Sequence, residues 1–203
     1  AGNEKAYLVD CIDSGFVSSV GEYVTQFENE LANFTGAAHV IAVTNGTTAL
    51  HLSLIALGVK PDEEVLVPAI SFVATANAVA HAGAVPHFVD ASAETWGLDP
   101  EELQTYLRAT AVHRDGNLVN RETGRKISAI VPMHTLGHPV DMAGVMEVAQ
   151  EYGLKVIEDA AESLGSHIGD THTGLLGTVG VFSFNGNKTI TTGGGGAIVT
   201  HDA

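Results

Sequence analysis

The chain has 203 residues, of which 45% are hydrophobic and 16% charged, and it contains 23 glycines. This length and composition predict one soluble globular domain with a substantial core. The formal net charge is −15, from 24 acidic and 9 basic side chains. Such a surface repels nucleic acid and anionic membranes, so we expect neither as a partner. An anionic ligand must instead be held locally, by a helix N-terminus or a single placed cation.

Cys11 is the only cysteine, which excludes an internal disulfide and indicates a reducing compartment. The first residues show no apolar signal core behind a basic start, so we expect a cytoplasmic protein. Residues 68–89 contain no Asp, Glu, Lys or Arg, but polar residues, Gly83 and Pro86 interrupt the stretch. It is interpreted as a buried helix followed by a buried strand, and not as a membrane span.

Short apolar runs alternate with stretches of helical periodicity along the chain. In chain order the sequence predicts a helix over 22–34, a strand over 39–43, a helix over 46–57, a strand over 64–68, a helix over 71–81, a strand over 85–89, a helix over 99–107, a strand over 129–133, a helix over 141–152, and strands over 155–158, 180–184 and 197–200. Strands buried on both faces and separated by helices imply an α/β fold. Its central sheet would be mostly parallel, with helices on both faces.

Two segments depart from this alternation. Residues 113–126 are polar and contain the turn signals Asp115-Gly116 and Thr123-Gly124, which predict an exposed hairpin or loop. The chain also ends directly after the last predicted strand, so we expect a fragment of a longer protein.

Ligands of open α/β sheets bind at the carboxyl ends of the strands. Residues 44–48 (TNGTT) lie at such an end and lead into a helix. Glycine permits the sharp turn, and the free N–H groups and hydroxyls of this segment predict a phosphate-binding cradle. The alternative is a plain strand-to-helix turn with good capping residues.

Glu158 and Asp159 end another predicted strand. A buried carboxylate is costly unless it meets a cation or several donors, and a pyridinium nitrogen would be such a cation. The alternative is a helix N-cap before residues 160–162. Phe72 also follows a strand, where an aromatic ring belongs to the core or stacks on a flat ligand.

Lys188 lies beyond a buried strand, in a turn rich in glycine and asparagine. A desolvated lysine there could serve as an amine nucleophile, whereas the alternative is an ordinary surface lysine. Four glycines at 193–196 permit close backbone approach but indicate no particular chemistry. His134 and His138 have no carboxylate or third histidine at ligand spacing, so we predict no metal site.

Four motifs occur together and in order: 45–50 (NGTTAL), 68–72 (PAISF), 158–161 (EDAA) and 183–188 (SFNGNK). This combination resembles the DegT/StrS family of sugar aminotransferases, which are pyridoxal-phosphate enzymes of fold type I, and the resemblance covers essentially the whole chain. Two runs, 10–19 (DCIDSGFVSS) and 184–193 (FNGNKTITTG), resemble one subgroup. Its members aminate C4 of UDP-linked 4-keto-6-deoxy sugars on routes to bacillosamine- or legionaminic-acid-type sugars.

The resemblance implies pyridoxal 5'-phosphate as the cofactor. Lys188 would carry it as a Schiff base and then move the proton between the cofactor and the sugar carbon. Asp159 would pair with the pyridinium nitrogen, and Phe72 would stack against the ring. Glu162 stands near the ring hydroxyl, where many relatives carry Gln or His.

Three further residues are implied to hold the cofactor phosphate. Gly46 and Thr47 would do so through backbone N–H groups, and Ser183 would add its hydroxyl. Gly194 departs from the family pattern, since many members have an acidic residue there. Neither this departure nor Glu162 removes a catalytic group.

The resemblance also implies partners and domain organisation. A nucleotide sugar is the substrate and an amino acid, glutamate, is the amino donor. Residues 1–203 would be the cofactor-binding large domain of a homodimer, with a small C-terminal domain absent from this chain. Two alternatives remain open: a sugar dehydratase of similar fold, which would carry histidine in place of Lys188, and a non-catalytic nucleotide-sugar-binding or regulatory module.

Overall fold

The computed structural model describes residues 2–202. The helices are α1 (Glu4–Ser14), α2 (Glu22–Thr35), α3 (Gly46–Ala56), α4 (Val73–His81), α5 (Pro100–Thr110) and α6 (Met142–Tyr152), with a short 3-10 turn at Thr135–Gly137. The strands are β1 (His39–Val43), β2 (Glu64–Pro68), β3 (Val85–Val89), β4 (Ala111–Arg114), β5 (Asn117–Asn120), β6 (Ile127–Ile130), β7 (Lys155–Asp159), β8 (His167–Ile168), β9 (Thr171–His172), β10 (Val179–Ser183) and β11 (Gly196–Thr200).

Seven strands form one central sheet in the order β1-β11-β10-β7-β6-β2-β3. The neighbours from β10 to β3 are parallel, whereas β11 runs antiparallel to both β10 and β1. The predicted mostly parallel sheet is therefore confirmed. β1 and β10 point the same way, so the carboxyl ends of β1, β2, β7 and β10 share one edge.

Helices cover both faces of the sheet, as predicted. Leu66 of β2 packs into a core with α5 and α6, whereas Val65 and Val67 face a second core with α3 and α4. A third core under α2 covers Phe182 and Ala197 of β10 and β11. The alternation of side chains along each strand places consecutive residues in opposite cores.

Three predicted elements differ in detail. β3 was expected to be buried, but it lies at the sheet edge and Phe88 is 55% exposed. The strand predicted over 129–133 is observed at Ile127–Ile130, and Pro132, which has no N–H to donate, follows its end. The helix predicted from residue 71 begins at Val73, buries one side through Thr75, Ala78 and Val79, and leaves Val73 exposed.

The polar segment 113–126 contains the turn and second strand of the hairpin β4–β5, which confirms the predicted hairpin. Helix α1 and the short hairpin β8–β9 were not predicted; α1 buries no residue and so has no periodic apolar signal. Within residues 2–202, no helix combines the length and apolar character that a membrane span requires.

Candidate active site

A cavity of about 340 Å³ opens at the shared edge where β1, β2, β7 and β10 end. It brings together six of the residues that the sequence singles out, namely Gly46, Thr47, Phe72, Asp159, Ser183 and Lys188. Each comes from a segment that immediately follows or ends a strand. The seventh predicted residue, Glu162, lies beside the cavity and contacts Lys188.

The first turn of α3 presents free backbone donors to this cavity. Asn45 caps the helix, because its Oδ1 accepts the Thr48 N–H at 2.8 Å and its carbonyl accepts the Ala49 N–H at 3.0 Å. Gly46 and Thr47 are the first two residues of α3, so their N–H groups have no partner within the helix. Residues 44–48 therefore form a capped turn and also leave two donors free for an anion.

Gly46 is required by the close approach of α3 to β10. A Cβ at this position would lie 2.8 Å from Cβ and 3.2 Å from Oγ of Ser183. Because glycine has no side chain, the free N–H groups and the Ser183 hydroxyl can border the same space.

Asp159 carries a buried carboxylate with few partners. Its side chain accepts the Thr75 hydroxyl at 2.7 Å and the Ala161 N–H at 3.3 Å, and the residue is only 3% exposed. Burial raises the pKa of this carboxyl above its usual value, while the hydrogen bond from Thr75 opposes the shift. No helix follows Asp159, so the N-cap alternative is wrong. A cation placed in the cavity would offset the cost of burying this charge.

Glu158 points away from the cavity and is saturated with donors. It accepts hydrogen bonds from His134 Nε2 at 2.9 Å and from the N–H groups of Gly174, Leu176 and Gly177. His134 is thereby committed to a buried structural pair. No group of three or more metal-ligating side chains occurs within residues 2–202.

Lys188 is held in place from two sides. Its Nζ lies 3.0 Å from Oε1 of Glu162 and 4.9 Å from the centre of the Phe72 ring. The side chain is only 6% exposed, so the surface-lysine alternative is wrong. Oε2 of Glu162 accepts the Leu136 N–H at 3.0 Å, which fixes the carboxylate beside the amine.

Two residues that support the site were missed by sequence reasoning. Thr75 holds Asp159, and the sulfur of Met133 lies 3.1 Å from the backbone nitrogen of Phe72, whose N–H it accepts. Thr75 follows Phe72 by three positions, a spacing that places both near the start of α4. Met133 carried no comparable signal, because its contact depends on the pairing of distant strands.

Comparison with known proteins identifies the chain's relatives. The sequence model of the DegT/DnrJ/EryC1/StrS aminotransferase family matches residues 1–203. GDP-perosamine synthase of Caulobacter vibrioides is 41% identical over 201 residues, covering 99% of this chain and 50% of that protein. EpsN of Bacillus subtilis, whose name describes a pyridoxal phosphate-dependent aminotransferase, is 37% identical and is matched over 100% of this chain and 50% of its own length.

Solved structures agree with this assignment. An aminotransferase from Psychrobacter cryohalolentis has a TM-score of 0.86 at 33% identity, covering 100% of this chain and 48% of that one. A variant of GDP-4-keto-6-deoxymannose-3-dehydratase, bound to GDP-perosamine, has a TM-score of 0.83 at 27% identity, covering 100% and 50%. These matches confirm the predicted fold type I architecture. The chain spans about half the length of the curated relatives it matches. It belongs to the DegT/DnrJ/EryC1/StrS aminotransferase family.

Proposed function

We propose that this chain binds pyridoxal 5'-phosphate at Lys188 and serves an aminotransferase that aminates C4 of a nucleotide-linked 4-keto-6-deoxy sugar. One observation carries the proposal: Lys188, the buried Asp159 carboxylate and the free N–H groups of α3 all border one cavity. An amine, an anion and an anion-binding helix N-terminus match the aldehyde, the pyridinium nitrogen and the phosphate of this cofactor.

The phosphate would be held by neutral donors. Gly46 and Thr47 offer free N–H groups at the positive end of α3, and Ser183 offers a hydroxyl on the same wall of the cavity. Lys188 is the only Lys or Arg among the residues that line this cavity, and its amine is assigned to the aldehyde of the cofactor and not to the phosphate. Backbone donors therefore replace the cation that an anion site in such an acidic chain would otherwise need.

Asp159 would accept a hydrogen bond from the N–H of the ring nitrogen and so keep this nitrogen protonated. When bound, the cofactor supplies an aldehyde for amines and an electron-withdrawing ring that makes the adjacent carbon acidic. Thr75 orients Asp159 through the 2.7 Å hydrogen bond, and Phe72 provides a flat wall for the ring. The protein's contribution is thus to orient the ring and to tune its charge.

Lys188 has two tasks in this assignment. Its amine holds the cofactor, and the same Nζ accepts or donates the proton at the reacting carbon. Glu162 contacts Nζ at 3.0 Å and so sets the position from which the amine works.

Glutamate is the proposed amino donor, and residues 1–203 are the proposed cofactor-binding large domain of a homodimer whose small domain lies outside this chain. A dehydratase is disfavoured, because Lys188 stands where the sequence resemblance requires histidine for that reaction. A non-catalytic module is also disfavoured, since an idle site has no need of both a buried lysine and a buried, poorly compensated aspartate.

The test is covalent trapping of the cofactor. The chain is mixed with pyridoxal phosphate, reduced with borohydride and mapped by peptide mass spectrometry. We expect the phosphopyridoxyl label on Lys188, and no label at this position in a Lys188→Ala variant. Lys155, which is exposed on β7, serves as the internal control for nonspecific labelling.

Label spread equally over Lys155 and Lys188 would contradict a specific site. If Lys188 is labelled, exposure to glutamate before reduction is expected to remove the label, because the amino group has then passed to the cofactor. Subsequent addition of a nucleotide-linked 4-keto-6-deoxy sugar is expected to restore it. A specific label that glutamate does not affect would favour the binding module over the aminotransferase.

A further inference from the structure

A second hollow, of about 500 Å³, lies next to the Lys188 site and plays no part in holding the cofactor. Trp96, Leu136 and Glu94 are among the residues that line it. Leu136 also lines a smaller hollow of about 200 Å³ together with Glu162 and Lys188. Leu136 therefore borders both hollows, so a ligand that spans them would contact both Lys188 and Trp96.

Trp96 and Leu136 both have backbone conformations that residues other than glycine rarely adopt. Their φ angles are 59° and 53°, in the left-handed region that favours glycine. Hydrogen bonds hold them there: the Trp96 N–H donates to Ser92 O at 2.9 Å, and the Leu136 N–H donates to Glu162. The Thr135 hydroxyl donates to Trp96 O at 3.3 Å and joins the two turns.

The strain is not compensated by packing of the two side chains. Trp96 is 55% exposed and Leu136 is 69% exposed. Glycine would satisfy both backbones without strain. The presence of two large apolar side chains in these strained turns, both facing one hollow, therefore indicates a binding surface.

The chemistry of the hollow selects a flat ligand with hydrogen-bond donors. An exposed indole beside an aliphatic side chain is a platform on which a nucleobase stacks. A carboxylate such as that of Glu94 offers hydrogen-bond acceptors and no donor. Guanine presents two adjacent donors, N1–H and the N2 amino group, whereas uracil flanks its single N–H with carbonyl oxygens that a carboxylate repels.

We propose that this hollow binds the guanine base of the nucleotide sugar, stacked on Trp96 and Leu136, with Glu94 accepting from its N1–H and N2 amino groups. The assignment rests on the proposed function, which places the sugar beside Lys188. It differs from the uridine nucleotide that the sequence resemblance implies.

The chain contains a single tryptophan, so selectively excited tryptophan emission reports on Trp96. The chain loaded with pyridoxal phosphate is titrated with GDP and, separately, with UDP. We expect saturable quenching by GDP, with affinity about tenfold higher than for UDP, the scale of one charge-assisted hydrogen-bond pair. In Glu94→Gln the affinity for GDP is expected to fall and that for UDP to stay unchanged.

Equal affinities for GDP and UDP, or no saturable quenching by GDP, would overturn the proposal.

A pair of variants separates binding from a structural role. Trp96→Gly relieves the strained backbone, so its urea midpoint is expected to equal or exceed that of the wild type, while its affinity for GDP in equilibrium dialysis falls about tenfold with the lost stacking. Trp96→Phe keeps a stacking ring and is expected to retain most of the affinity. A lowered midpoint with unchanged affinity in Trp96→Gly would make Trp96 a structural residue and refute the proposal.

Borohydride labelling of Lys188 in the same samples distinguishes the two proposals. A labelled Lys188 without GDP quenching refutes the guanine subsite and leaves the aminotransferase intact. GDP quenching without a labelled Lys188 refutes the aminotransferase and supports a guanine-nucleotide site on a protein that does not bind the cofactor.

Discussion

The Thr75 hydroxyl lies 2.7 Å from Oδ2 of Asp159, although the two residues belong to α4 and β7. Both are buried. Thr75 supplies the stronger of the two hydrogen bonds that stabilise the charged form of Asp159, and it also fixes the direction in which the carboxylate faces the cavity. The charge that the proposed cofactor needs therefore depends on a residue that does not line the cavity.

We predict that Thr75→Val lowers the affinity for pyridoxal phosphate. Loss of a hydrogen bond to a charged group costs about 1.5–3 kcal/mol, which corresponds to roughly a tenfold to hundredfold rise in Kd. The pKa of Asp159 should also rise further, because the hydrogen bond that opposes its upward shift is gone. Equilibrium dialysis at several pH values measures both effects. Thr75→Ser keeps the hydroxyl, and if it binds as weakly as Thr75→Val, the hydrogen bond is not the cause.

We predict that Asp159→Asn stabilises the cofactor-free chain at neutral pH, by roughly 1–3 kcal/mol, and abolishes stabilisation by the cofactor. Burial raises the pKa of Asp159 from 3.8, so the native state holds a proton more tightly than the unfolded state. The contribution of Asp159 to the free energy of unfolding is therefore full below pH 3.8, and it is lost as pH rises through the raised pKa.

Urea unfolding across this pH range is the measurement for Asp159→Asn. The advantage of the variant should shrink as pH falls toward 3.8, because the wild-type carboxyl is then neutral as well. An advantage that is independent of pH would show that ionisation of Asp159 is not its source.

We predict that Gly46→Ala destabilises the chain, although alanine is the better helix former. Its Cβ would meet Cβ of Ser183 at 2.8 Å, and such overpacking costs about 1–3 kcal/mol. In the double variant Gly46→Ala with Ser183→Gly the clash is absent, so the urea midpoint should recover. The affinity for pyridoxal phosphate should remain low, because the Ser183 hydroxyl is lost. Additive effects of the two substitutions on stability would contradict this contact.

We predict that His172 makes the fold sensitive to mild acid. It is buried, its Nε2 accepts the Gly165 N–H at 2.8 Å, and its Nδ1 lies against Thr173 O. Burial lowers the pKa of this histidine below 6.5. The contribution of His172 to the free energy of unfolding should therefore be full above pH 6.5 and fall as pH drops through the lowered pKa. In His172→Gln the dependence of the urea midpoint on pH over this range should be shallower; an unchanged dependence would assign it to other groups.

Much of the sheet could be predicted because the local hydrophobic pattern of its strands agrees with the place that these strands take in the fold. Residues 39–43, 64–68 and 85–89 are β-branched or apolar runs bounded by turn residues, and each forms a strand at those bounds. The site followed from the same pattern: motifs at the carboxyl ends of parallel strands meet at one edge, which brought residues as distant as Gly46 and Lys188 together.

The remaining features depend on tertiary contacts that have no local signature. The burial of β3 was predicted wrongly because apolar composition does not distinguish an edge strand from a central one. Glu158 and Asp159 are neighbours with opposite environments, one saturated by backbone donors and the other poorly compensated. The identity of the residues alone does not reveal which of them faces the cavity.

The position of β11 between β1 and β10 has a consequence for the order in which the proposed cofactor site is assembled. Val43 pairs with Gly196, and a Cβ at Gly196 would lie 2.5 Å from the carbonyl carbon of Asn45, so the last strand runs directly against the turn that leads into α3. Closing so long a stretch of chain is slow compared with forming its helices. Residue 200 must therefore leave the ribosome before the turn at residues 44–48 has its final support. The proposed cofactor would then be captured only after β11 has docked, and its spectral signal would time that docking.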